Sequence, residues 1–325
     1  MERTAQTLYR DFAELEARGV SDTYFEWAQN VAEDGEVLGL IEQLPPAKRQ
    51  PNLVFAAARY RGAPEAGYPL FREWLTSNWS EVVPTVMDRA TQTNEAARCA
   101  VLLPALSKLD GPVSLIEAGA SAGLCLYPDR YSYRYATSGG TVALDPLEGP
   151  STVVLPCSID TIGVPDGIPE VVWRAGVDLN PIDVRDDKQL AWLETLVWPE
   201  HEARRLRLRA AAAIAATQPA ELIRGDILEE IPALIAQAPA GSHVVVFHSA
   251  VLVYLAPDRR EAFADLMAAM PDVTWISNEG ARVLPSIADQ LDSAPDGRMV
   301  LAVNGEAAAR TGPHGQSYES IPPAR

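Results

Sequence analysis

The sequence predicts an α/β protein in two parts. Residues 1–110 form an all-helical N-terminal region. Residues 111–325 form a domain in which short strands alternate with helices over a mostly parallel sheet. Three observations predict this. Up to about Asp110 the apolar residues recur at helical spacing, and no strand-like run precedes Val113. From Val113 onward short apolar runs are separated by helical stretches, and parallel neighbours need such crossovers. Finally, 47% of the 325 residues are hydrophobic and 22% charged, which suits a chain with a large core and excludes a long disordered one.

In the first part, Thr7–Arg18 reads as a helix through Leu8, Phe12 and Leu15. Tyr24–Ala32, Val37–Gln43, Asn52–Tyr60 and Pro69–Asn78 continue the pattern, punctuated by Pro45-Pro46 and Gly62-Ala63-Pro64. A last helix is expected over Asn94–Leu109, with Thr93 or Asn94 as its N-cap. In the second part, strands are expected at Val113–Ile116, in two segments of Tyr131–Leu144 about Ser138-Gly139-Gly140, and at Val171–Val177. Further strands are expected at Glu221–Ile223, His243–Phe247, Val273–Ser277, Met299–Asn304 and Ser317–Ser320. Helices are expected over Asp187–Thr217, broken at Pro199, and over Ile227–Gln237 and Pro257–Met270.

Ligands on such sheets meet residues just past the strand ends. After Val113–Ile116 comes Glu117-Ala118-Gly119-Ala120-Ser121-Ala122-Gly123, a turn of small side chains that lets a ligand approach the backbone and leads into a helix. Asp178 ends the next long apolar strand, where a carboxylate accepts from both hydroxyls of a ribose; an ordinary turn Asp before Asn180-Pro181 is the alternative. Asp226 ends the third strand, positioned for an adenine amino group or simply as the cap of the helix starting at Ile227.

These three strand ends resemble class I S-adenosylmethionine (SAM)-dependent methyltransferases. Glu117-x-Gly119-x-Ser121-x-Gly123 is similar to that family's first motif, Gly176-Val177-Asp178-Leu179-Asn180-Pro181 to its second, and Gly225-Asp226 to the third. The resemblance covers roughly residues 110–305 and implies a Rossmann-like sheet. It implies that Glu117 with Gly119, Ser121 and Gly123 holds the methionine end of SAM, Asp178 the ribose, and Asp226 with Ile227 the adenine. Two departures stand out: Ser121 replaces the middle glycine, and residues 124–169 must contain an insertion. The whole chain also resembles a bacterial family known as domain of unknown function 2332. The resemblance is carried by Thr91-Gln92-Thr93-Asn94-Glu95 with Arg98, by the turn 117–123, by Asp178-x-x-Pro181, by Trp198-Pro199-Glu200 and by Phe247-His248-Ser249.

Within the methyltransferase reading, the strand ends at His248-Ser249 and Asn278-Glu279 face the methyl acceptor. His248 and Glu279 are the candidate catalytic residues, His248 as a base with a reference pKa near 6.5. Asn94, Glu95, Arg98, Ser249 and Tyr254 are the candidate substrate-binding residues, with Glu95 and Arg98 able to pair at i, i+3. His314, in Gly312-Pro313-His314-Gly315, belongs either over the site or at the surface.

Two rival functions share these residues. Gly119-Ala120-Ser121-Ala122-Gly123 is also G-x-S-x-G, the nucleophile elbow of α/β-hydrolases, with Ser121 as nucleophile, His248 or His314 as base and Asp226 or Asp289 as acid. Against it, no strand precedes Val113 and no His-Gly-Gly segment lies upstream. The third reading is a non-catalytic ligand-binding protein on a methyltransferase-like fold. A nicotinamide dehydrogenase is disfavoured because G-x-G-x-x-G is absent.

The net charge of −17 works against nucleic acid or an anionic membrane as partner, leaving a small molecule or a protein side chain as substrate. The four arginines of Arg204–Arg209 read as a solvated helix face. Cys99, Cys125 and Cys157 form no C-x-x-C pair, so neither a cysteine zinc site nor any other metal site is expected. The polar Met1–Arg10 segment and the lack of a run of about 20 apolar residues point to a cytoplasmic protein.

Overall fold

The computed structural model describes residues 4–322 except Ser293. The chain divides into two compact units: Met1–Thr93 with Arg185–Leu206, and Asn94–Val184 with Arg207–Arg325.

The first unit is helical, and side chains start its helices. Ser21 Oγ accepts from Tyr24 N at the head of Asp22–Val31, Asp34 caps Gly35–Ile41, and Asp186 caps Asp187–Leu196. The helix over Thr7–Arg18 is present as Ala5–Phe12 followed by a π-turn, Ala13–Ala17. The helix expected to stop at Asn78 runs from Tyr68 to Asp88, through Pro84. Phe71, Leu75, Trp79, Val82 and Val86 recur at helical spacing and are all buried, so one continuous apolar stripe outweighs the proline. The core of this unit is aromatic: Trp27 stacks on Phe71 at 3.7 Å, and Phe55 packs edge-on to both.

The second unit is mixed α/β, built on an eleven-stranded sheet. The strands are β1 (Val113–Ala118), β2 (Ser132–Thr137), β3 (Gly140–Leu144), β4 (Val154–Ile159), β5 (Val171–Asp178) and β6 (Glu221–Arg224). Then come β7 (His243–Ser249), β8 (Val273–Gly280), β9 (Met299–Val303), β10 (Glu306–Thr311) and β11 (Ser317–Ser320). The order is β3-β2-β4-β11-β10-β9-β8-β7-β1-β5-β6. Strands β6, β5, β1, β7 and β8 are mutually parallel, whereas β8-β9, β9-β10, β10-β11 and β2-β3 pair antiparallel. β2-β4 and β4-β11 also pair parallel, so the sheet is mixed but mostly parallel, as expected, with six of its ten neighbouring pairs parallel. β1 lies in the middle of the parallel run β6-β5-β1-β7-β8, with all six residues buried.

Three further details differ from the sequence reading. Residues 124–169 supply β2, β3 and β4, which extend the same sheet. The helix expected from Asn94 starts as a 3₁₀ turn, Ala96–Arg98, capped by the Glu95 side chain, and becomes α-helical only at Cys99–Leu106. The turn after β1 does not lead into an α-helix; two 3₁₀ turns follow, Leu124–Leu126 and Pro128–Arg130.

That last segment is held by side chains. The hydroxyls of Tyr131 and Tyr133 donate to the carbonyls of Leu124 and Pro128 at 2.7 and 2.6 Å. From β5, the buried Arg174 donates to Leu126 O and to Asp129. Carbonyls that a helix would satisfy internally are thus satisfied from the sheet.

Candidate functional site

The order of the parallel strands reverses about β1, with β5 on one side and β7 on the other. The C-terminal ends of these strands are where ligands bind in open α/β sheets. Five segments of the second unit are joined there by hydrogen bonds: residues 94–98, 117–123, 178–182, 249–252 and 312–315.

Glu117, near the end of β1, is 7% exposed. Its Oε2 is buried with no hydrogen-bond partner. Burial pushes the carboxyl well above the ordinary carboxylate range; Cys125 adds to the rise, Arg98 opposes it, and Asp178 adds further. Arg98 is also 7% exposed, and it spends its donors on carbonyls, Nη1 on Ser249 O and Nε on Pro313 O, each at 3.0 Å. The expected Glu95–Arg98 pair does not form. Glu95 takes Arg207 instead, at 2.8 and 3.2 Å, and caps Ala97 N. Arg207 therefore leaves the solvated face assigned to Arg204–Arg209. No spacing in the sequence signals a partner this distant; the burial of Glu95 demands a cation.

The glycine turn is clamped from two sides. Asn94 Nδ2 donates to Ser121 Oγ at 2.8 Å, and Asn94 Oδ1 accepts from Ala122 N at 2.9 Å. Asp178 Oδ2 accepts from Ser121 N at 2.8 Å, and its Oδ1 from Asn180 N at 2.7 Å. These bonds hold Ser121 at φ +49°, a conformation costly for a residue with a side chain. Gly119, at φ +72°, must be glycine for a second reason: a Cβ there would lie 2.5 Å from Val251 Cγ2. Gly123 also has positive φ, with Leu126 and Leu222 closest to it.

The remaining candidates serve other contacts. Asp226 caps the helix Ile227–Gln237 through Leu228 N and pairs with Arg259, and Ile227 is buried in the core. His248 is fully buried: Nδ1 lies 2.7 Å from Glu279 Oε1, and Nε2 accepts from Trp275 Nε1 at 3.1 Å. Glu279 Oε1 also accepts from Val251 N and Leu252 N at 2.8 and 3.0 Å. Burial raises the Glu279 carboxyl, but the bonds from His248 and the two amides outweigh it and hold it below the ordinary range. Ser249 Oγ accepts from Asn278 Nδ2, and Tyr254 is 80% exposed.

Two charged side chains at this switch point, Glu117 and Arg98, thus lack an ionic partner, while Asp178 and Asn94 set the turn beside them. His248 and Glu279 bond each other, and Glu279 Oε2, like Glu117 Oε2, is buried without a hydrogen-bond partner. Of the hydrolase candidates, Ser121, His248 and Asp226 do not bond one another: the hydroxyl of Ser121 bonds Asn94, His248 bonds Glu279 and Trp275, and Asp226 bonds Arg259. His314 lies in a turn brought close by Gly315, whose Cβ would fall 1.9 Å from Ala97 O. Among the described residues, no group of three or more His, Cys, Asp or Glu is arranged to hold a metal ion. Nor is any helix long and apolar enough to cross a membrane.

No curated protein and no solved structure matches this chain. A match extends over residues 6–319, nearly the whole sequence, and by it the chain belongs to the family described as uncharacterized protein conserved in bacteria, DUF2332.

Proposed function

We propose that the protein is a SAM-dependent methyltransferase that holds SAM at the switch point beside β1 and acts on a small molecule or a protein side chain. The observation that carries this reading is the pair of buried charges without an ionic partner. Glu117 has a free carboxylate oxygen, and Arg98 has only carbonyls for acceptors. An ammonium fits the first and a carboxylate the second, and the amino-acid end of SAM carries both. Asp178 ends β5 and holds the turn through Ser121 N, where the methyltransferase resemblance places the acid that meets the ribose. The spatial order of the parallel strands, 3-2-1-4-5 when they alone are numbered along the chain, supports a Rossmann-like reading.

When bound, SAM supplies an electrophilic methyl group on sulfur. The chain's part is binding and alignment, which alone can carry such a transfer. Glu117 and Arg98 fix one end of the ligand, and Asp178 and Asn94 keep the turn rigid. Asp226 is occupied by its cap and by Arg259, so adenine recognition falls to the backbone about Asp226 and Ile227. Proton removal is not assigned to His248, because its Nε2 lone pair is taken by Trp275.

Isothermal titration with SAM, S-adenosylhomocysteine (SAH), 5′-methylthioadenosine and NAD tests this. SAM and SAH should bind, methylthioadenosine, which lacks the amino-acid end, should bind roughly tenfold or more weakly, and NAD should not bind. Failure of SAM and SAH to bind, or equal affinity for methylthioadenosine, contradicts it. One observation favours the hydrolase as a second reading: Ser121 has the positive φ of a strained elbow. Labelling of Ser121 by a fluorophosphonate, abolished in Ser121→Ala, would establish that reading instead.

A further inference from the structure

We infer that Trp275, His248 and Glu279 form a positioning relay that sets Val251 against the glycine turn and so tunes ligand affinity at the switch point. The inference rests on the SAM-binding reading for its ligand and on geometry for its mechanics. An indole N–H only donates, so the Trp275 bond at 3.1 Å requires an unprotonated His248 Nε2. The imidazole proton then sits on Nδ1 and is donated to Glu279 Oε1 at 2.7 Å. The same oxygen accepts from the amides of Val251 and Leu252. Next to them, Ala250 N donates to Asn278 O at 3.0 Å, and Ala250 is held at φ +57°, a conformation that alanine rarely adopts. One buried oxygen thus ties a core histidine on β7 to a bent turn.

The end of the chain of contacts is Val251. Its isopropyl group fills the space beside Gly119, where even a methyl would lie 2.5 Å away. Gly119 and Ala120 both donate to Val177 O, one residue before Asp178. A shift of Val251 therefore moves the turn between Glu117 and Asp178, the two acids assigned to the ligand. His248 and Glu279 are positioning residues in this account, and they act through Val251.

Trp275→Phe tests the relay: it deletes the donor and keeps an aromatic ring in the core, and the strand amides of β7 and β8 report any effect of the lost indole volume. Amide exchange read by NMR should become roughly tenfold faster at Val251 and Leu252, the loss of about one hydrogen bond, with the strand amides of β7 and β8 unchanged. SAH affinity, titrated calorimetrically, should fall several-fold in Trp275→Phe but show no further fall when the substitution is made in Val251→Ala. Unchanged exchange at both amides overturns the relay, and so does an affinity loss that is equal with and without Val251. If wild type does not bind SAH at all, the SAM reading fails, and the exchange measurement still decides the mechanics.

Discussion

Two neighbouring strand ends in the same sheet use the same kind of residue in opposite ways. At the end of β7, His248 bonds the β8 residue Glu279, whose Oε1 also takes two backbone amides while its Oε2 is buried without a partner, and Trp275 takes the other ring nitrogen of His248. At the end of β1, Glu117 is also buried with one oxygen that bonds nothing, but burial rather than a set of donors governs its carboxyl. The first arrangement lowers the acid's proton affinity and stabilises the fold. The second raises it and costs stability, which is the expected signature of a binding site. The lesson is that neither position after a strand nor one unpartnered oxygen marks a functional acid by itself, since the two acids share both; the three donors that meet the other oxygen of Glu279 set it apart.

The largest effect that can break this comparison is in Glu279→Ala. It removes one oxygen shared by three donors, so urea unfolding should show a loss of about 3–5 kcal/mol. A loss below about 1 kcal/mol would mean that the three donors on Oε1 do not stabilise the fold. Glu117→Gln should do the reverse. SAH affinity should drop roughly 10- to 100-fold, while stability at neutral pH holds or rises, because an ionisable side chain buried with an unpartnered oxygen is replaced by a neutral one of nearly the same shape.

The pH dependence sharpens the same contrast. In Glu117 the folded chain holds the proton more tightly than the unfolded chain. Its contribution to stability therefore falls as pH rises from 4.5 towards the raised folded value. In Glu279 the folded carboxyl titrates below 4.5, so its contribution is present above that value and is lost as pH falls through the folded one. Denaturation across pH 4–8 should show the Glu117 decline in wild type and its absence in Glu117→Gln. Ser121→Gly comes next in size. It relieves the positive φ and loses the Asn94 bond, two effects of about 1 kcal/mol each and opposite sign, so the melting temperature should barely move and SAH binding should hold. Tyr254→Ala, at a side chain 80% exposed, should change stability by less than about 0.5 kcal/mol.

Much of the fold was legible because its local signals agree. The apolar run Val113–Ile116 before small residues marks the strand at which the parallel order reverses, and Asp226 before Ile227 marks a helix start that the structure places at that residue. β4 was missed because Pro156 interrupts it. The proline is tolerated there because β11 pairs only with Ser158 and Ile159, so no neighbour on that side asks for its N–H. β10, Glu306–Thr311, is rich in alanine and is made a strand by its partners β9 and β11. In the site, Glu117, Asp178 and Asn94 could be read from motif and position. The partners of His248, Glu95 and Arg98 could not, because Trp275, Arg207 and the carbonyl of Pro313 are distant in sequence and no spacing encodes them.

The most direct test of the central claim, that Glu117 is kept unpaired for a cationic ligand, is the proton balance of SAH binding. Calorimetry between pH 5 and 7 in buffers of different ionisation enthalpy reads it. The account predicts that binding lowers the raised Glu117 value and releases a proton in wild type, and that Glu117→Gln binds more weakly without that release. Equal binding by both proteins, with no difference in proton release, would contradict it.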